Sequence, residues 1–384
     1  MNFEFTAPQR VIFGPGSFRQ VGALAAGFGR RALAVTGRDA GRAAPLLAQL
    51  REHGVKAEVF PVDGEPTTDL VSLGTAQAVR FAADLVVAFG GGSPLDAAKA
   101  IAALATNGGE PLDYMEVVGR GQPLARPSLS LIAIPTTAGT GSEVTRNAVL
   151  TSPGHGVKAS MRSISMVPRI AVVDPELTYG LPPSVTASTG LDALTQLVEP
   201  FTCNRTNPLV DALCRDGIAR VARSLRRAWT HGRDAAARED MSLASLFGGF
   251  ALANAGLGAV HGFSGVIGGM FRAPHGAVCA ALLPHVMAMN RRALRERAPD
   301  SPLAVRYEEV ARLLTGHPAA TVDEGVAWVS QLARDLEVPS LAACGVKTEH
   351  VPLIAERAAV ASGTKANPIE LTHAELAEIL ERAL

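Results

Sequence analysis

The chain has 384 residues, too many for one ordinary domain and about right for two. Lys+Arg and Asp+Glu each number 36, so the formal charge is zero; that argues against a nucleic-acid binder and against a polybasic membrane-surface protein. Hydrophobic residues make up 47% and charged ones 19%, a globular balance, and with aromatics at 5% the core must be built mostly of Ala, Val and Leu. Cys203, Cys214, Cys279 and Cys344 form no CxxC pair and no zinc-ribbon spacing. They read as reduced core thiols of a cytoplasmic protein rather than as a disulfide framework. The opening residues carry no basic stretch followed by an apolar one, and no uncharged apolar run reaches the roughly 18–20 residues of a membrane span. The apolar, Gly-rich segment 241–270, interrupted by His261 and Ser264, reads as a buried helix.

In chain order, residues 10–14 (RVIFG) predict a short strand ended by a Gly-Pro-Gly turn. Strands are expected at 32–36, 55–62, 84–89 and 130–135, alternating with helices at 42–52, 69–82 and 94–105. Apolar runs alternating with amphipathic stretches are the pattern of a parallel sheet covered by helices on both faces. From about Pro183 the pattern changes, and 186–201, 208–229, 235–259, 276–297 and 302–314 all read as helices. The breaker cluster at 180–183 marks the boundary. The expected architecture is an α/β dinucleotide-binding domain over 1–183 and an all-helical domain over 184–384.

The strand at 84–89 runs into Gly90-Gly91-Gly92-Ser93-Pro94 and then a helix. Glycines let a backbone approach a bulky anion, and the free amides and dipole of a helix start favour a pyrophosphate. Ser93 stands where an N-cap belongs, Pro94 fits the first helical position, and Asp96 stands where a capping box would close. This is not the GxGxxG fingerprint. A second polar loop, 136–145, follows the strand at 130–135. Its Thr136, Thr137 and Thr140 hydroxyls suit phosphate and ribose oxygens, although the loop taken alone is also compatible with a plain turn. Both loops lie at carboxyl ends of strands, where open α/β sheets bind ligands.

In the second half, Asp192 and Gln196 are four apart on one helix face. His261 lies near the end of the apolar helix, and His275 follows Pro274 at a new helix start. A carboxylate, two imidazoles and an amide oxygen suit a borderline divalent ion such as zinc, iron(II) or manganese(II). By spacing alone the set is ordinary, since a histidine beside proline is more often a cap or a surface residue than a ligand.

Four segments taken together are more specific: Gly90-Gly91-Gly92-Ser93-Pro94-Leu95-Asp96, then 134–145 (IPTTAGTGSEVT), then Gly190-Leu191-Asp192-Ala193, then Ala273-Pro274-His275-Gly276. In order and spacing they resemble the iron-containing (group III) alcohol dehydrogenases over nearly the whole chain. The resemblance implies an N-terminal α/β domain, a C-terminal helical domain with a cleft between them, NAD(P), one divalent metal (Fe, Zn or Mn) and a homodimer. It makes Asp192, His261 and His275 metal ligands and sets Gln196 where the family usually has a third histidine. A neutral amide there should weaken binding of zinc and iron. Gly265 stands where many members carry a histidine near substrate and nicotinamide, so a proton relay through that side chain is missing. Where members preferring NAD often carry an Asp for the adenosine ribose, this chain has Gly37 and then Arg38, which leans toward NADP. Asn147 and Lys158 align with positions near the nicotinamide ribose.

The expected reaction is metal-polarised hydride transfer between a small alcohol and its aldehyde or ketone, with no catalytic residue beyond the metal site. The runner-up readings are a maleylacetate-reductase-like oxidoreductase and a lyase resembling 3-dehydroquinate synthase. Gln196 alone motivates a third, a metal-free relative without catalysis.

Overall fold

The computed structural model describes residues 2–271 and 273–384. The chain divides into two compact units. One comprises residues 6–137 and 141–178, the other 179–384 together with residues 138–140 and the described residues 2–5. Residues 2–5 and 138–140 thus group with the helical unit, whereas the sequence reading assigned them to the first domain.

The first unit holds eight strands: β1 (Arg10–Phe13), β2 (Arg31–Gly37), β3 (Lys56–Val62), β4 (Leu85–Gly90), β5 (Ser130–Pro135), β6 (Asn147–Ser152), β7 (Val157–Arg162) and β8 (Ile170–Val173). Six form one parallel sheet in the order β1-β8-β5-β4-β2-β3. Its helices are α1 (Val21–Ala26), α2 (Ala44–Glu52), α3 (Thr68–Phe81), α4 (Gly92–Asn107) and α5 (Pro111–Tyr114). Successive side chains of a strand point to opposite faces, and both faces here are apolar. Leu85, Val87 and Phe89 of β4 join one core with Ile132 and Ile134, while Val86 and Ala88 join the other with Leu33 and Val35. The strand order reverses between β2 and β4: the chain steps outward from β2 to β3, then crosses back to β4 on the other side of β2. Such a reversal opens a crevice at the strands' carboxyl ends.

β6 and β7 form a separate antiparallel hairpin. The sequence reading predicted neither these two strands nor β8. The hairpin is tied to α4 by a buried lysine. Lys99 Nζ donates to Ser142 Oγ and Thr145 Oγ1 at 2.7 Å and to the Asn147 carbonyl at 2.8 Å, and lies 3.4 Å from Asp96 Oδ1. Burial pushes the Lys99 ammonium below its ordinary pKa, and Asp96 and Glu143 oppose that shift.

The second unit is helical: α6 (Pro183–Thr202), α7 (Pro208–Thr230), α8 (Ala235–Asn254), α9 (Ala259–Met270), α10 (His275–Arg297), α11 (Ala304–Thr315), α12 (Val322–Asp335), α13 (Val351–Val360) and α14 (His373–Ala383). They surround one core that includes Leu191, Leu194, Phe201, Ile218, Phe263 and Leu283. The helix expected over 235–259, and the continuous buried helix expected over 241–270, are corrected. α8 stops at Asn254, and α9 leaves at 96° to it. Gly256 in the break has φ +133°, which only glycine adopts freely. His261 consequently lies near the start of a helix, not near an end. No single helix among the described residues is long and apolar enough to cross a membrane. The four cysteines are unpaired, three of them buried.

Lys99→Met keeps most of the side-chain volume but strands the acceptors on Asp96, Ser142, Thr145 and Asn147. It should cost about 3 kcal/mol, the low end for breaking a buried charged pair, read as a lowered urea midpoint at unchanged slope.

Candidate metal centre and nucleotide crevice

Asp192 lies in the middle of α6 and is 2% exposed. Its Oδ1 atom is buried and makes no hydrogen bond, although His275 Nε2 and His261 Nε2 lie 3.4 and 3.7 Å away. Tetrahedral ligands bound at about 2.0–2.1 Å are separated from one another by about 3.3–3.4 Å. The three donor atoms therefore converge as ligands of a common cation do. Gln196, one turn further along α6, has a buried Oε1 that is likewise unpartnered. Orphaned buried acceptors are rare in folded proteins and call for an explanation, an ion being one. The donor set and the two orphaned oxygens fit a divalent metal.

Local packing brings the three helices together. His275 is the first residue of α10. A Cβ on Gly276 would collide with the Ser188 backbone carbonyl, so only glycine lets this helix start close on α6 beside Asp192. Gly248 of α8 similarly lies against the Gln196 side chain. α9 has no cap from its own N-cap residue, Gly258, and is capped from elsewhere. The Val260 amide donates to Glu199 Oε1 at 2.7 Å, and the Ala259 amide to Asn367 Oδ1 at 3.1 Å.

Glu199 also sets the tautomer of His261, because its Oε2 lies 2.5 Å from Nδ1. With the proton on Nδ1, Nε2 faces Asp192. A carboxylate behind a ligand histidine orients the ring and raises its basicity. The sequence reading missed Glu199, although its spacing from Asp192 places it on the same helix. Burial alone would lower the His261 pKa, but Glu199 and Asp192 override it and raise it to about 9. Burial would raise Asp192, yet the two histidines hold its carboxyl well below the usual range. The His275 side chain is 33% exposed and that of His261 8%, so solvent reaches the cluster from the His275 side. Cys279 also joins the cluster, with Sγ 3.7 Å from His275 Nε2. At Gly265, one turn after His261, an added Cβ meets nothing within 4 Å, so this position lies beside open space.

The two glycine-bearing strand ends expected to receive a nucleotide lie at the reversal in strand order. Gly37 ends β2 and Arg38 follows it; Gly90 ends β4, Gly91 follows, and Gly92 opens α4. A Cβ on Gly90 would lie 2.7 Å from Pro94 Cγ, so the first turn of α4 packs too closely on the end of β4 for a side chain there. The cap differs from the expectation. The N-cap of α4 is Gly91, not Ser93, and no side chain caps it. Its first amides are left for an anion, which suits a pyrophosphate better than a serine cap would. Asp96 closes no capping box. Its Oδ1 accepts from Ser142 Oγ at 2.5 Å and its Oδ2 from the Val149 amide at 3.0 Å, so it braces the second loop. That loop is joined to the first by the Thr136 amide, which donates to the Gly90 carbonyl at 2.8 Å. Thr137 lies 3.4 Å from a Cβ placed on Gly91. Thr140 belongs to the three residues that group with the helical unit. Asn147 opens β6, where its carbonyl accepts from Lys99. Lys158 on β7 pairs with Glu65 at 2.9 Å. Arg38 is exposed and lies 3.7 Å from the exposed Asp63, too weak a contact to hold it. Asp39 is occupied as a cap, accepting from the Gly41 amide at 2.9 Å. Sequence spacing did not single out Lys99 or Glu143. Burial pushes the Glu143 carboxyl up to about 7 against the pull of its own backbone amide and Lys99.

Two outcomes follow for the metal-free protein. His261 is protonated below about pH 9, whereas its unfolded-state value is about 6.5. Its contribution to stability is therefore complete below pH 6.5 and is lost as pH rises through 9, which denaturant titrations across that range will register. A ligand imidazole must shed that proton, so zinc affinity should rise by up to about tenfold per unit from pH 6.5 and level off near pH 9. Glu199→Gln should weaken zinc binding about 10–100-fold and flatten that dependence, as competition with a chelator will measure.

Residues 8–175 match the family described as iron-containing alcohol dehydrogenase, and residues 186–384 its C-terminal counterpart. The chain is 39% identical to a probable alcohol dehydrogenase, EutG, of Salmonella typhimurium over 90% of its own length and 84% of that protein's. It is 33% identical to an NAD-dependent methanol dehydrogenase of Bacillus methanolicus, over 99% of this chain and all of that one. A solved 1,3-propanediol oxidoreductase superposes with a TM-score of 0.91 at 34% identity, covering the whole of both chains. With both halves matched and a buried carboxylate–imidazole cluster in the helical unit, the chain belongs to the iron-containing alcohol dehydrogenase family.

Proposed function

We propose that this protein is a metal-dependent, NAD(P)-linked dehydrogenase that interconverts small alcohols and their aldehydes or ketones. The observation that carries the reading is the convergence of His261 and His275 on the orphaned Asp192 Oδ1. The similar proteins named for methanol and 1,3-propanediol support a short, uncharged substrate.

Asp192, Gln196, His261 and His275 are the residues that would hold the ion. When bound, the cation supplies Lewis-acid polarisation of the substrate oxygen, and the nicotinamide supplies the hydride acceptor or donor. The protein's own groups do the rest. Glu199 keeps the His261 proton on Nδ1 and Nε2 free to ligate. The uncapped start of α4 and the glycines before it receive the pyrophosphate, with Thr136 and Thr137 on the adjoining loop. Asn147 and Lys158 are assigned to the nicotinamide ribose. Gly265 offers no acid, so in the reduction direction the proton comes from water.

Arg38 supports NADP over NAD: it is weakly held, and Asp39 is engaged as a cap rather than available to a ribose. Lys158 is paired to Glu65, so its assigned contact requires that pair to open. β1 is a sheet edge with one side unpaired, which suits the homodimer this reading expects in the cytoplasm. Sedimentation velocity would show a monomer if that expectation is wrong.

The test is NADH and NADPH oxidation with short aldehydes, using protein stripped of metal and reloaded with Fe(II), Zn(II) or Mn(II) in turn. Turnover restored by an added ion is expected. Product formation without net cofactor oxidation would instead favour the lyase reading, and no turnover with any ion would sink the dehydrogenase. Arg38→Ala should move the NADPH to NADH preference by roughly tenfold toward NADH, as losing one charge-assisted contact implies. An unchanged ratio would remove Arg38 from the cofactor site.

A further inference from the structure

We propose that Cys279 is a ligand of the ion held by Asp192, His261 and His275, entering as a thiolate where Gln196 offers only a neutral amide, and that it biases this centre toward zinc over the harder manganese and magnesium. The proposal rests on the metal-dependent reading above and goes further by naming a residue and an ion.

The geometry is specific. One donor atom from each of Asp192, His261, His275 and Cys279 lies within 4.8 Å of all the others. His275 and Cys279 are four apart on α10 and share a face, as Asp192 and Gln196 do on α6. With zinc–sulfur at about 2.3 Å and zinc–nitrogen at about 2.05 Å, a tetrahedral pair is separated by about 3.6 Å. The observed Sγ to Nε2 separation is 3.7 Å. The thiol is fully buried, which pushes its pKa up in the absence of a cation, and its Sγ faces His275 and the Asp192 cluster rather than apolar groups alone. Asp192 Oδ1, a member of this cluster, is buried and makes no hydrogen bond, which marks the same place independently.

Donor chemistry decides between the two α6–α10 candidates. Gln196 offers a neutral amide oxygen, the weaker partner for a borderline ion. A thiolate is soft and favours zinc over the harder manganese and magnesium. Cys279 gives up its thiol proton to solvent as the sulfur lone pair forms the bond. Aspartate and thiolate together then cancel the ion's two charges in a buried site, which lowers the cost of holding it there.

X-ray absorption of the zinc-loaded full chain reads the ligands directly. One sulfur scatterer at about 2.3 Å is expected. It should vanish in Cys279→Ser and persist in Gln196→Ala. Cys279→Ser should also lower zinc affinity at least tenfold and narrow the margin by which zinc is bound over manganese(II). A cobalt(II)-loaded sample should show a thiolate-to-metal charge-transfer band with the same dependence on Cys279. Zinc bound with nitrogen and oxygen neighbours only, or a sulfur that survives Cys279→Ser, overturns the proposal and leaves the dehydrogenase reading standing. A chain that binds no divalent ion overturns both. If Cys279→Ser does not fold, the triple variant C203S/C214S/C344S, with Cys279 as the remaining cysteine, must still show the sulfur; its loss there overturns the assignment.

Discussion

A carboxylate buried in the middle of a long helix dominates the helical unit. Taking Asp192 out of water is costly unless positive charge or donors meet it. The two imidazoles and the ion they imply supply that compensation, and the surrounding packing serves to bring them there. α8 has to stop and the chain turn sharply so that α9 presents His261 in its first turn. α10 has to begin at His275, close enough to α6 that residue 276 can have no side chain. Glu199, one helical step beyond Gln196, then serves twice: it caps α9 and fixes the ring of His261. A single glutamate thereby couples the start of a helix to the protonation of His261.

The α/β unit meets a comparable demand with opposite charge. Its sheet reverses strand order between β2 and β4, and the glycine-lined end of β4 leads into a helix without a side-chain cap. Free amides are an unsatisfied feature until an anion takes them, just as the orphaned oxygens of Asp192 and Gln196 are until a cation does. The buried Lys99 holds this arrangement from behind, tying α4 to the second polar loop and the hairpin. Asp96, which the sequence suggests for cofactor or cap, is part of that brace. Its oxygens are directed at Ser142 and Val149, so its effect on a nucleotide is exerted through the loop.

The elements legible in the sequence were those whose signal is local. Continuous apolar runs marked β2, β4 and β5, because strands buried on both faces need no polar residue along their length. Helical periodicity marked α6, α7 and α10 to within a few residues. β8 and the hairpin were missed; β8 is four residues long, and the hairpin alternates buried and half-buried positions with no aromatic to mark it. The break at 255–258 was hidden by an apolar stretch that reads as one helix, since composition does not register a turn whose cause is packing on both sides.

By itself, the sequence determined the two-part architecture, the family resemblance and the residue types available for chemistry: a carboxylate, an amide and two imidazoles, with a glycine loop elsewhere. These follow from order and spacing along the chain. Tertiary structure alone decided which of them meet. It placed His261 at a helix start, drew Glu199 in behind it, moved the α4 cap from Ser93 to Gly91, and set Cys279 beside His275 and Asp192. The reason is that this cluster is defined by distances of a few ångströms between residues up to 87 positions apart, from Asp192 to Cys279. Those distances are fixed by how three helices pack, which no local pattern records.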